Sequence, residues 1–489
     1  MNEKKQVFAA GRWTVISAVI RSALQILQLA ILARLLTPAD FGLMAVTTSI
    51  LAIIIIFSDL GLSRAIIHFD NLTANNLSSL YWLNLLVGGV LSLLFAVLAP
   101  VLSNIFKLED LTTLLLCISP CFFLMAIGQQ YCALAEKKLN FNVLSINEIV
   151  AALCGFIAAV IIALNDGGVY ALVGGMLINV STNSFLAWLR ISKDYPLHWH
   201  LDIKETLPFI HYGRYIVGES LLNTIQRQAD VVVASYFGNS TMIGLYSMPR
   251  DFCFKVGMTI NPIITRIGFP LMSRHQLNES VLKSIYLQTL RMTSSLNFPL
   301  YFFIGVFAQE LVVLLFGIQW KDAAIYMQLL AIWGALRSVG NPVGSLLHAV
   351  GAVKRAFWWN VGIVVFLPSC YWVAMSRYGL HGLSLTLVFI HICLLPLMWW
   401  FLVKPLIKIG FFEYLAQIST PCILSVISGL VAWLVVIDVS YGLLRLLIGG
   451  FIFGCCYLLL SRYFNRVWFN AALLLLKGFL IKNIKKTGE

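Results

Sequence analysis

Charged side chains are scarce in this sequence. They make up 11% of its 489 residues, whereas hydrophobic residues make up 60%. A typical soluble domain is about one-quarter charged, so this composition excludes an ordinary soluble globular protein. Repeated apolar runs of about 20 residues, with few charges, indicate membrane-spanning helices. The sequence therefore predicts an all-α polytopic membrane protein.

Motifs typical of nucleotide-driven enzymes and metal proteins are also missing. No nucleotide-binding P-loop is present, so direct use of ATP has no support. No Cys-x-x-Cys pair lies near histidines, and the ten cysteines lie mostly inside apolar runs, where they are expected to pack as small apolar residues. No small-residue cleavage site follows a short apolar segment, so no removable signal peptide is expected. We expect neither a metal nor a cofactor.

Hydropathy predicts about fourteen membrane spans. The first six are expected at about 12–36, 42–64, 79–103, 111–134, 143–164 and 169–190. The next six are expected at about 210–236, 244–272, 291–316, 325–350, 356–376 and 380–403. The last two are expected at about 416–437 and 441–463. The connections on the outer side are short and leave no room for a catalytic domain.

Lysines and arginines are distributed unevenly between the predicted loops. With the N-terminus inside, the outer loops contain little beyond Arg34, Lys107, Lys321 and Arg377. The inner loops and the tail contain Lys4, Lys5, Arg64, Lys137, Lys138, Arg190, Lys193, Lys204, Arg274, Lys283, Lys354, Arg355, Lys404, Lys408, Arg462, Arg466, Lys477, Lys482, Lys485 and Lys486. By the positive-inside rule, both termini are predicted to be cytoplasmic. Topology and contact with anionic lipids then account for most of the net charge of +13, and nucleic-acid binding is not expected.

The chain repeats itself weakly at a shift of 202 residues. Residues 11–46 align without a gap with residues 213–248, so that Gly42 falls on Gly244. The alignment pairs span 1 with span 7 in the same orientation, as parallel repeats about an axis along the membrane normal require. We predict two six-helix lobes at 1–200 and 201–408, followed at 409–489 by two further helices and a cytoplasmic tail. Within that tail, residues 467–486 are predicted to form an interfacial amphipathic helix.

Span 7 carries a stripe of polar residues along one helical face. The stripe consists of Glu219, Asn223, Gln226 and Asp230, with Arg227 beside it. A similar stripe in span 1 consists of Arg21, Gln25 and Gln28. An ionised group at the bilayer centre costs roughly 2.5–3.5 kcal/mol on insertion scales, so such residues avoid lipid and face water or the protein interior. We therefore predict that both helices line a polar cavity.

Basic residues outnumber acidic ones among the buried ionisable groups, which predicts a cationic cavity. The candidates for substrate binding are Arg21, Gln25, Arg227, Arg250, Lys255 and Arg337. Because guanidinium forks suit phosphate oxygens, we expect an anionic, phosphate-bearing substrate. The structural alternative is that the pairs Arg227–Asp230 and Arg250–Asp251 neutralise themselves.

Three carboxylates are candidates for coupling transport to a proton or sodium gradient. They are Asp59, Glu219 and Asp230. Asp230 lies one helical turn from Arg227 and is expected to hold its guanidinium in place. Glu219 has no cation within one turn of its own helix, and a proton-exchanging role is expected for it if it is buried from water.

Several segments resemble one family of transporters. They are LARLLTPADFGLMAV (32–46), FSDLGLSRAIIHF (57–69), LSSLYWLNLLVG (77–88), RQADVVVASYFGNSTMIGLYSMPRDF (227–252) and NPIITRIGFPLMSRHQ (261–276). They are similar to the lipopolysaccharide and exopolysaccharide flippases of the polysaccharide transporter family, within the multidrug/oligosaccharidyl-lipid/polysaccharide exporter superfamily.

This resemblance implies fourteen helices, two six-helix lobes and a V-shaped central cavity. It also implies translocation of undecaprenyl-diphosphate-linked oligosaccharide from the inner to the outer leaflet of the bacterial cytoplasmic membrane. A polysaccharide polymerase and glycosyltransferases are the implied protein partners. In flippases of lipid-linked cell-wall precursors, a similar extra helix pair forms a groove for the lipid tail, and residues 416–463 are the matching segment here.

Three other functions are weighed against this one. A drug or cation antiporter of the same superfamily should have a cavity dominated by carboxylates, and the predicted cavity is rich in arginine. A membrane glycosyltransferase or polysaccharide polymerase should carry a long outer loop with clustered ionisable residues, which is missing. A scaffold without transport activity would leave the cost of the buried arginines unexplained.

Overall fold

The computed structural model describes residues 3–474, except the side chains of residues 3–12, 14–16 and 263. Nearly all regular structure in this range is α-helical, and none of it is strand. The chain divides into two compact units, Met1–Ser247 with Ile363–Gly379, and Met248–Gly362 with Leu380–Glu489. The three-part division at residues 200 and 408 stays a prediction.

The first unit contains nine complete helices within the described residues. They are α1 (Glu3–Leu35), α2 (Pro38–Asp59), α3 (Leu62–His68), α4 (Ala74–Phe106), α5 (Leu111–Ile118), α6 (Cys121–Lys137), α7 (Phe141–Leu164), α8 (Tyr170–Ile191) and α9 (Ile203–Phe237). The polar helix α9 packs against α2, α3 and α4 in this unit. The next helix, α10 (Ser240–Arg274), begins in the first unit and continues in the second.

The second unit contains the remaining helices. They are α11 (Glu279–Val306), α12 (Ala308–Phe316), α13 (Ala324–Ser338), α14 (Gly340–Ala349), α15 (Val353–Met398, of which Ile363–Gly379 belongs to the first unit), α16 (Lys404–Ile407), α17 (Phe411–Val435) and α18 (Gly442–Phe464). A π-helical turn, Trp399–Val403, joins α15 to α16. A final helix begins at residue 466 and reaches residue 474, so most of the predicted interfacial helix at 467–486 lies outside the described residues.

The start of α2 shows how the local sequence fixes a helix boundary. Thr37 is the N-cap, Pro38 occupies the first helical turn, and the Thr37 and Asp40 side chains each accept a hydrogen bond from the backbone N–H of the other residue. This capping box satisfies N–H groups that would otherwise lack partners at the helix start, and such a cap typically contributes about 1 kcal/mol. Thr73 and Asn76 form the same arrangement at the start of α4.

Ten helices among the described residues are long and apolar enough to cross a membrane, or eleven if the bent pair α11–α12 forms one span. Helix α15 has 46 residues, or about 69 Å at 1.5 Å per residue, roughly twice the thickness of the hydrocarbon core. It is interrupted at Gly379, whose φ of 60° and ψ of −155° are not helical, so it contains two spans. Helices α9 and α10 are not among the ten. The predicted fourteen spans are compatible with this arrangement if α9 and α10 cross as polar helices.

A reciprocal contact within the first unit supports the 202-residue repeat. A Cβ atom on Gly42 would lie 1.7 Å from the Ser240 carbonyl oxygen, and one on Gly244 would lie 1.8 Å from the Pro38 carbonyl oxygen. The shift aligns Gly42 with Gly244 and also Pro38 with Ser240. Such an exchange of equivalent partners is typical of a twofold axis. The glycines allow α2 and α10 to cross at backbone contact.

Ion pairs attach the last two long helices to α11 and α12 in the second unit. The Lys283 ammonium lies 2.7 Å from Glu413 at the start of α17. Arg445, near the start of α18, lies 3.2 Å from the mostly buried Glu310 of α12. At the other end of α18, the Arg291 guanidinium donates to the Asn465 side chain at 2.7 Å. These contacts fix both ends of α18.

Candidate functional site

The polar stripe of α9 runs from exposed to buried positions. Glu219 and Asn223 are exposed, Gln226 is half-buried, and Asp230 is 3% exposed. The buried Asp230 carboxylate accepts a hydrogen bond of 2.7 Å from the Tyr246 hydroxyl, a partner that the sequence did not suggest. Glu219 is exposed in this structure, and its proton-exchanging role stays a prediction.

Arg227 is exposed beside this stripe. Its guanidinium donates to the hydroxyl of the buried Thr224, one turn earlier, at 3.4 Å. The planar guanidinium of an exposed arginine can reach an anionic ligand. The predicted orientation of Arg227 by Asp230 stays a prediction.

The polar stripe predicted on α1 contacts a carboxylate that was not predicted from the sequence. The Arg21 guanidinium lies 3.2 Å from Glu148 of α7, while Gln25 is exposed. Glu148 is the only charged residue in the predicted span 143–164. A single carboxylate in an apolar span is costly, so its presence in the sequence already indicated that Glu148 has a partner or a function.

Asp59 occupies a structural position at the end of α2. Its carboxylate accepts hydrogen bonds from the backbone N–H of Ser63 at 3.1 Å and from the Ser63 hydroxyl at 2.6 Å. Leu60 and Gly61 between them have positive φ values of 47° and 73°, which form the tight turn into α3. Asp59 therefore supports this turn, and its coupling role stays a prediction.

Three of the predicted binding residues lie in the second unit. Arg250 on α10 is 5% exposed, and its guanidinium lies 3.0 Å from the Asp251 carboxylate. Lys255 is half-buried on the same helix. On α13, the Arg337 guanidinium lies 4.6 Å from the centre of the Phe254 ring and 5.2 Å from that of Trp333. These distances are within the range of cation–π attraction.

Arg337 lines a cavity of about 70 Å³ between α10, α11, α13 and α14. The other lining residues are Cys253, Phe254, Gly257, Met258, Asn261, Tyr301, Trp333, Gly334, Ser338 and Asn341. We refer to this space as the Arg337 cavity. One water molecule needs roughly 10–15 Å³ of cavity volume, so the Arg337 cavity has room for a small polyatomic group.

Two glycines shape the Arg337 cavity by holding a tyrosine ring. A Cβ atom on Gly257 would lie 2.8 Å from the Tyr301 hydroxyl oxygen, and one on Gly334 would lie 2.4 Å from the Tyr301 ring. The Tyr301 hydroxyl donates to the Cys253 carbonyl oxygen at 2.8 Å. The ring is therefore fixed between α10 and α13.

Among the described residues, no group of three or more His, Cys, Asp or Glu side chains is arranged to hold a metal ion. Of the predicted residues, Arg21 and Gln25 share α1, Arg227 and Asp230 share α9, and Arg250 and Lys255 share α10. Arg337 is brought together with residues that the sequence did not single out, Trp333 and Asn261.

Comparisons with known proteins identify relatives along most of the chain. A family model described as polysaccharide biosynthesis protein matches residues 31–325. The lipopolysaccharide biosynthesis protein WzxC of Escherichia coli strain K12 is 28% identical over 426 residues, covering 87% of this chain and 86% of that protein. The teichuronic acid biosynthesis protein TuaB of Bacillus subtilis strain 168 is 27% identical over 429 residues, covering 88% and 89%.

The fold also resembles a solved transporter structure. The lipid II flippase MurJ, in an inward closed conformation, superposes with a TM-score of 0.71 and 13% identity, covering 93% of this chain and 99% of that one. At this identity the likeness shows the fold alone. Together, these comparisons confirm the predicted family resemblance, the polytopic helical fold and the classification as a transporter rather than an enzyme.

Proposed function

The chain belongs to the polysaccharide biosynthesis protein family, and we propose that it flips a lipid-linked oligosaccharide across the bacterial cytoplasmic membrane. The substrate is an undecaprenyl-diphosphate-linked repeat unit, carried from the inner to the outer leaflet. The names of the relatives, which include lipopolysaccharide and teichuronic acid biosynthesis proteins, support a polysaccharide precursor. The MurJ-like fold supports a lipid-linked one.

The observation that carries this proposal is the placement of guanidinium groups on helices α10 and α13. Arg250 is buried in α10, and Arg337 lies near two aromatic rings at a cavity without a lining carboxylate. Arginine inside a membrane protein is costly and typically marks a substrate pathway. Its planar fork binds phosphate oxygens in a bidentate manner, which suits a diphosphate.

The binding set in this proposal consists of Arg21, Gln25, Arg227, Arg250, Lys255 and Arg337. Alternating access would expose this set first to the cytoplasmic and then to the periplasmic side. A proton or sodium gradient, or consumption of the product outside, would supply the energy. Both termini lie in the cytoplasm in this topology, and a polymerase and glycosyltransferases are the expected partners.

A depletion experiment in the native host tests the proposal. Loss of the protein should cause lipid-linked oligosaccharide to accumulate in the inner leaflet while surface polysaccharide disappears. Labelling with a membrane-impermeant, sugar-oxidising reagent in spheroplasts distinguishes the two leaflets. Wild-type protein should restore labelling of the lipid-linked pool. Unchanged labelling after depletion, with polysaccharide still lost, would show that the protein acts at another step.

A further inference from the structure

An apolar groove of about 590 Å³ runs along α4 in the first unit. Its wall on this helix consists of Trp82, Leu85, Leu86, Gly89 and Val90, which share one helical face. From Trp82 to Val90 the helix advances about 12 Å at 1.5 Å per residue. We refer to this space as the Trp82 groove.

The linker between α8 and α9, residues 192–202, lies at the Trp82 end of the groove. Its His198 backbone N–H donates to the Ser78 hydroxyl at 3.1 Å, and its His198 carbonyl oxygen accepts from the Trp82 indole N–H at 2.9 Å. The Trp199 ring is 90% exposed but stacks on Trp82, with ring centres 4.2 Å apart. An ordered tryptophan pair at the end of an apolar surface is typical of the membrane–water interface.

Phe123 of α6 forms the wall at the other end of the groove. A Cβ atom on Gly89 would lie 3.8 Å from the Phe123 ring, so the glycine leaves the space in front of this ring open. The Phe123 backbone N–H donates to the Ser92 hydroxyl of α4 at 3.2 Å, which links the two helices here. The groove is therefore a shaped space between two helices and not merely one exposed helix face.

The Trp82 groove continues the lipid-facing surface of α4. Leu86, Val90, Leu93 and Val97 follow one another at helical spacing, and each is more than half exposed. Because α4 is long and apolar enough to cross a membrane, this stripe contacts hydrocarbon chains. Leu86 and Val90 belong to both the stripe and the groove, so a chain can enter the groove sideways from the bilayer.

The length of the groove restricts the kind of chain. In the proposed topology α4 begins on the cytoplasmic side, and the groove extends from there for about 12 Å. One leaflet contributes roughly 15 Å, half of the 30 Å hydrocarbon core, so the groove spans most of one leaflet. An acyl chain of a phospholipid is confined to one leaflet in this way, whereas an undecaprenyl chain is much longer.

The Trp82 end of the groove has a polar boundary. The half-buried His200 ring lines the groove, and its Nε2 atom lies 3.3 Å from the Glu205 carboxylate. An apolar groove that ends at polar side chains matches a ligand with a hydrocarbon chain and a polar headgroup. The volume of about 590 Å³ also lies within the range of small-ligand sites.

We propose that the Trp82 groove binds one acyl chain of a membrane phospholipid, with its headgroup beside Trp199 and His200. The bound chain contacts α4, α6 and the linker that leads into the polar helix α9, and so stabilises the contact between them. The site is independent of which molecule the protein transports.

Photo-crosslinking to the full chain, purified in detergent, tests this site. The probe is a phosphatidylethanolamine with a diazirine in one acyl chain, and peptide mapping locates the label. Labelling should saturate and should map to Trp82–Val90 and Phe123. Excess unlabelled phosphatidylethanolamine should reduce it at least fivefold, and undecaprenyl phosphate should compete less well.

Two outcomes of this competition would overturn the proposal. Labelling that does not saturate and is as strong at Leu93 and Val97 would indicate ordinary contact with surrounding lipid. Undecaprenyl phosphate that displaces the probe as well as phosphatidylethanolamine does would identify the carrier chain as the occupant instead.

A substitution that fills the groove provides a second test. Gly89→Leu places a side chain in front of Phe123, where the nearest atom to a Cβ lies 3.8 Å away, and it should lower labelling of the groove at least fivefold. Gly454→Leu is the matched control, because this half-buried glycine of α18 has no atom within 4 Å of a Cβ and lies outside the groove. It should be labelled like the wild type. Equal labelling of Gly89→Leu and wild type would contradict the proposal, and the wild-type competition decides the question if Gly89→Leu does not fold.

Discussion

Charged groups are handled differently at two sites, one in each unit. In the first unit, the Arg21 guanidinium lies 3.2 Å from Glu148, and Asp230 accepts a hydrogen bond from Tyr246. In the second, Arg337 lies near two aromatic rings beside a cavity with no lining carboxylate. The first arrangement neutralises charge with a carboxylate of the protein, whereas in the second no carboxylate lines the cavity beside the guanidinium. The second is therefore better suited to bind an anion.

The repeat makes this difference more informative. The 202-residue shift that aligns Gly42 with Gly244 also aligns Arg21 with Asn223 and Gln25 with Arg227. The helix-crossing glycines are the same in both copies, while the ionisable residues differ. Packing at the crossing tolerates only one residue type, whereas the chemistry of the two copies is free to diverge.

The largest effect is expected from disrupting the glycine contact between α2 and α10 that both copies of the repeat share. Gly244→Ala would place a Cβ atom 1.8 Å from the Pro38 carbonyl oxygen, which as backbone cannot move aside as a flexible side chain can. Overpacking of this kind typically costs 1–3 kcal/mol or more, so we expect a large loss of folded protein in the membrane. Fluorescence-detected size exclusion would measure it. Gly218→Ala is the control, because a Cβ atom there has no neighbour within 4 Å. Equal yields of the two variants would show that the crossing is not close-packed.

The next effect tests the Arg337 side of the comparison. Arg337→Ala removes both the charge and the stacked guanidinium, and we expect polysaccharide export to fall roughly 100-fold at normal membrane levels of protein. Arg337→Lys keeps the charge but loses the fork, so it should recover only part of the activity. Export is measured as surface polysaccharide per cell, normalised to immunoblotted protein. Full activity of a well-expressed Arg337→Ala variant would remove this residue from the substrate path.

A smaller effect is expected at the Arg21–Glu148 ion pair of the first unit. Glu148→Gln removes the anion beside Arg21, so protonation of this carboxylate can no longer release the guanidinium. In inverted vesicles we expect transport driven by a pH gradient to fall about tenfold, equivalent to about 1.4 kcal/mol, with gradient-free exchange retained. Glu219→Gln is the matched control on an exposed carboxylate and should keep its gradient dependence. The reverse result would assign the coupling role to Glu219 rather than to Glu148.

The sequence predicted the architecture well and the ion pairing poorly, for a physical reason. Hydropathy and helical periodicity depend on neighbours along one helix, so the helical spans and the polar stripe of α9 followed from them. The partners Glu148 of Arg21 and Tyr246 of Asp230 lie on other helices, and their identity depends on how those helices pack. The same holds for the Arg337 cavity, where Asn261, Trp333 and Tyr301 come from three helices. Only the isolation of Glu148 in an apolar span was visible beforehand.

The smallest expected effect separates a hydrogen-bond acceptor that supports a turn from a coupling carboxylate at Asp59. Its oxygen accepts two hydrogen bonds from Ser63, and an asparagine oxygen can accept the same bonds without a charge. Asp59→Asn should therefore lower the thermal midpoint by only a few degrees at most and leave the gradient dependence of transport unchanged. Asp59→Ala, which removes the acceptor, should cost about 1 kcal/mol of stability, as for a lost helix cap. The two variants are compared by thermal unfolding in detergent and by transport in vesicles with and without a pH gradient. If Asp59→Asn keeps its stability but loses the response to the gradient, the charge matters more than the hydrogen bonds to Ser63, and Asp59 belongs with the coupling groups of the first unit.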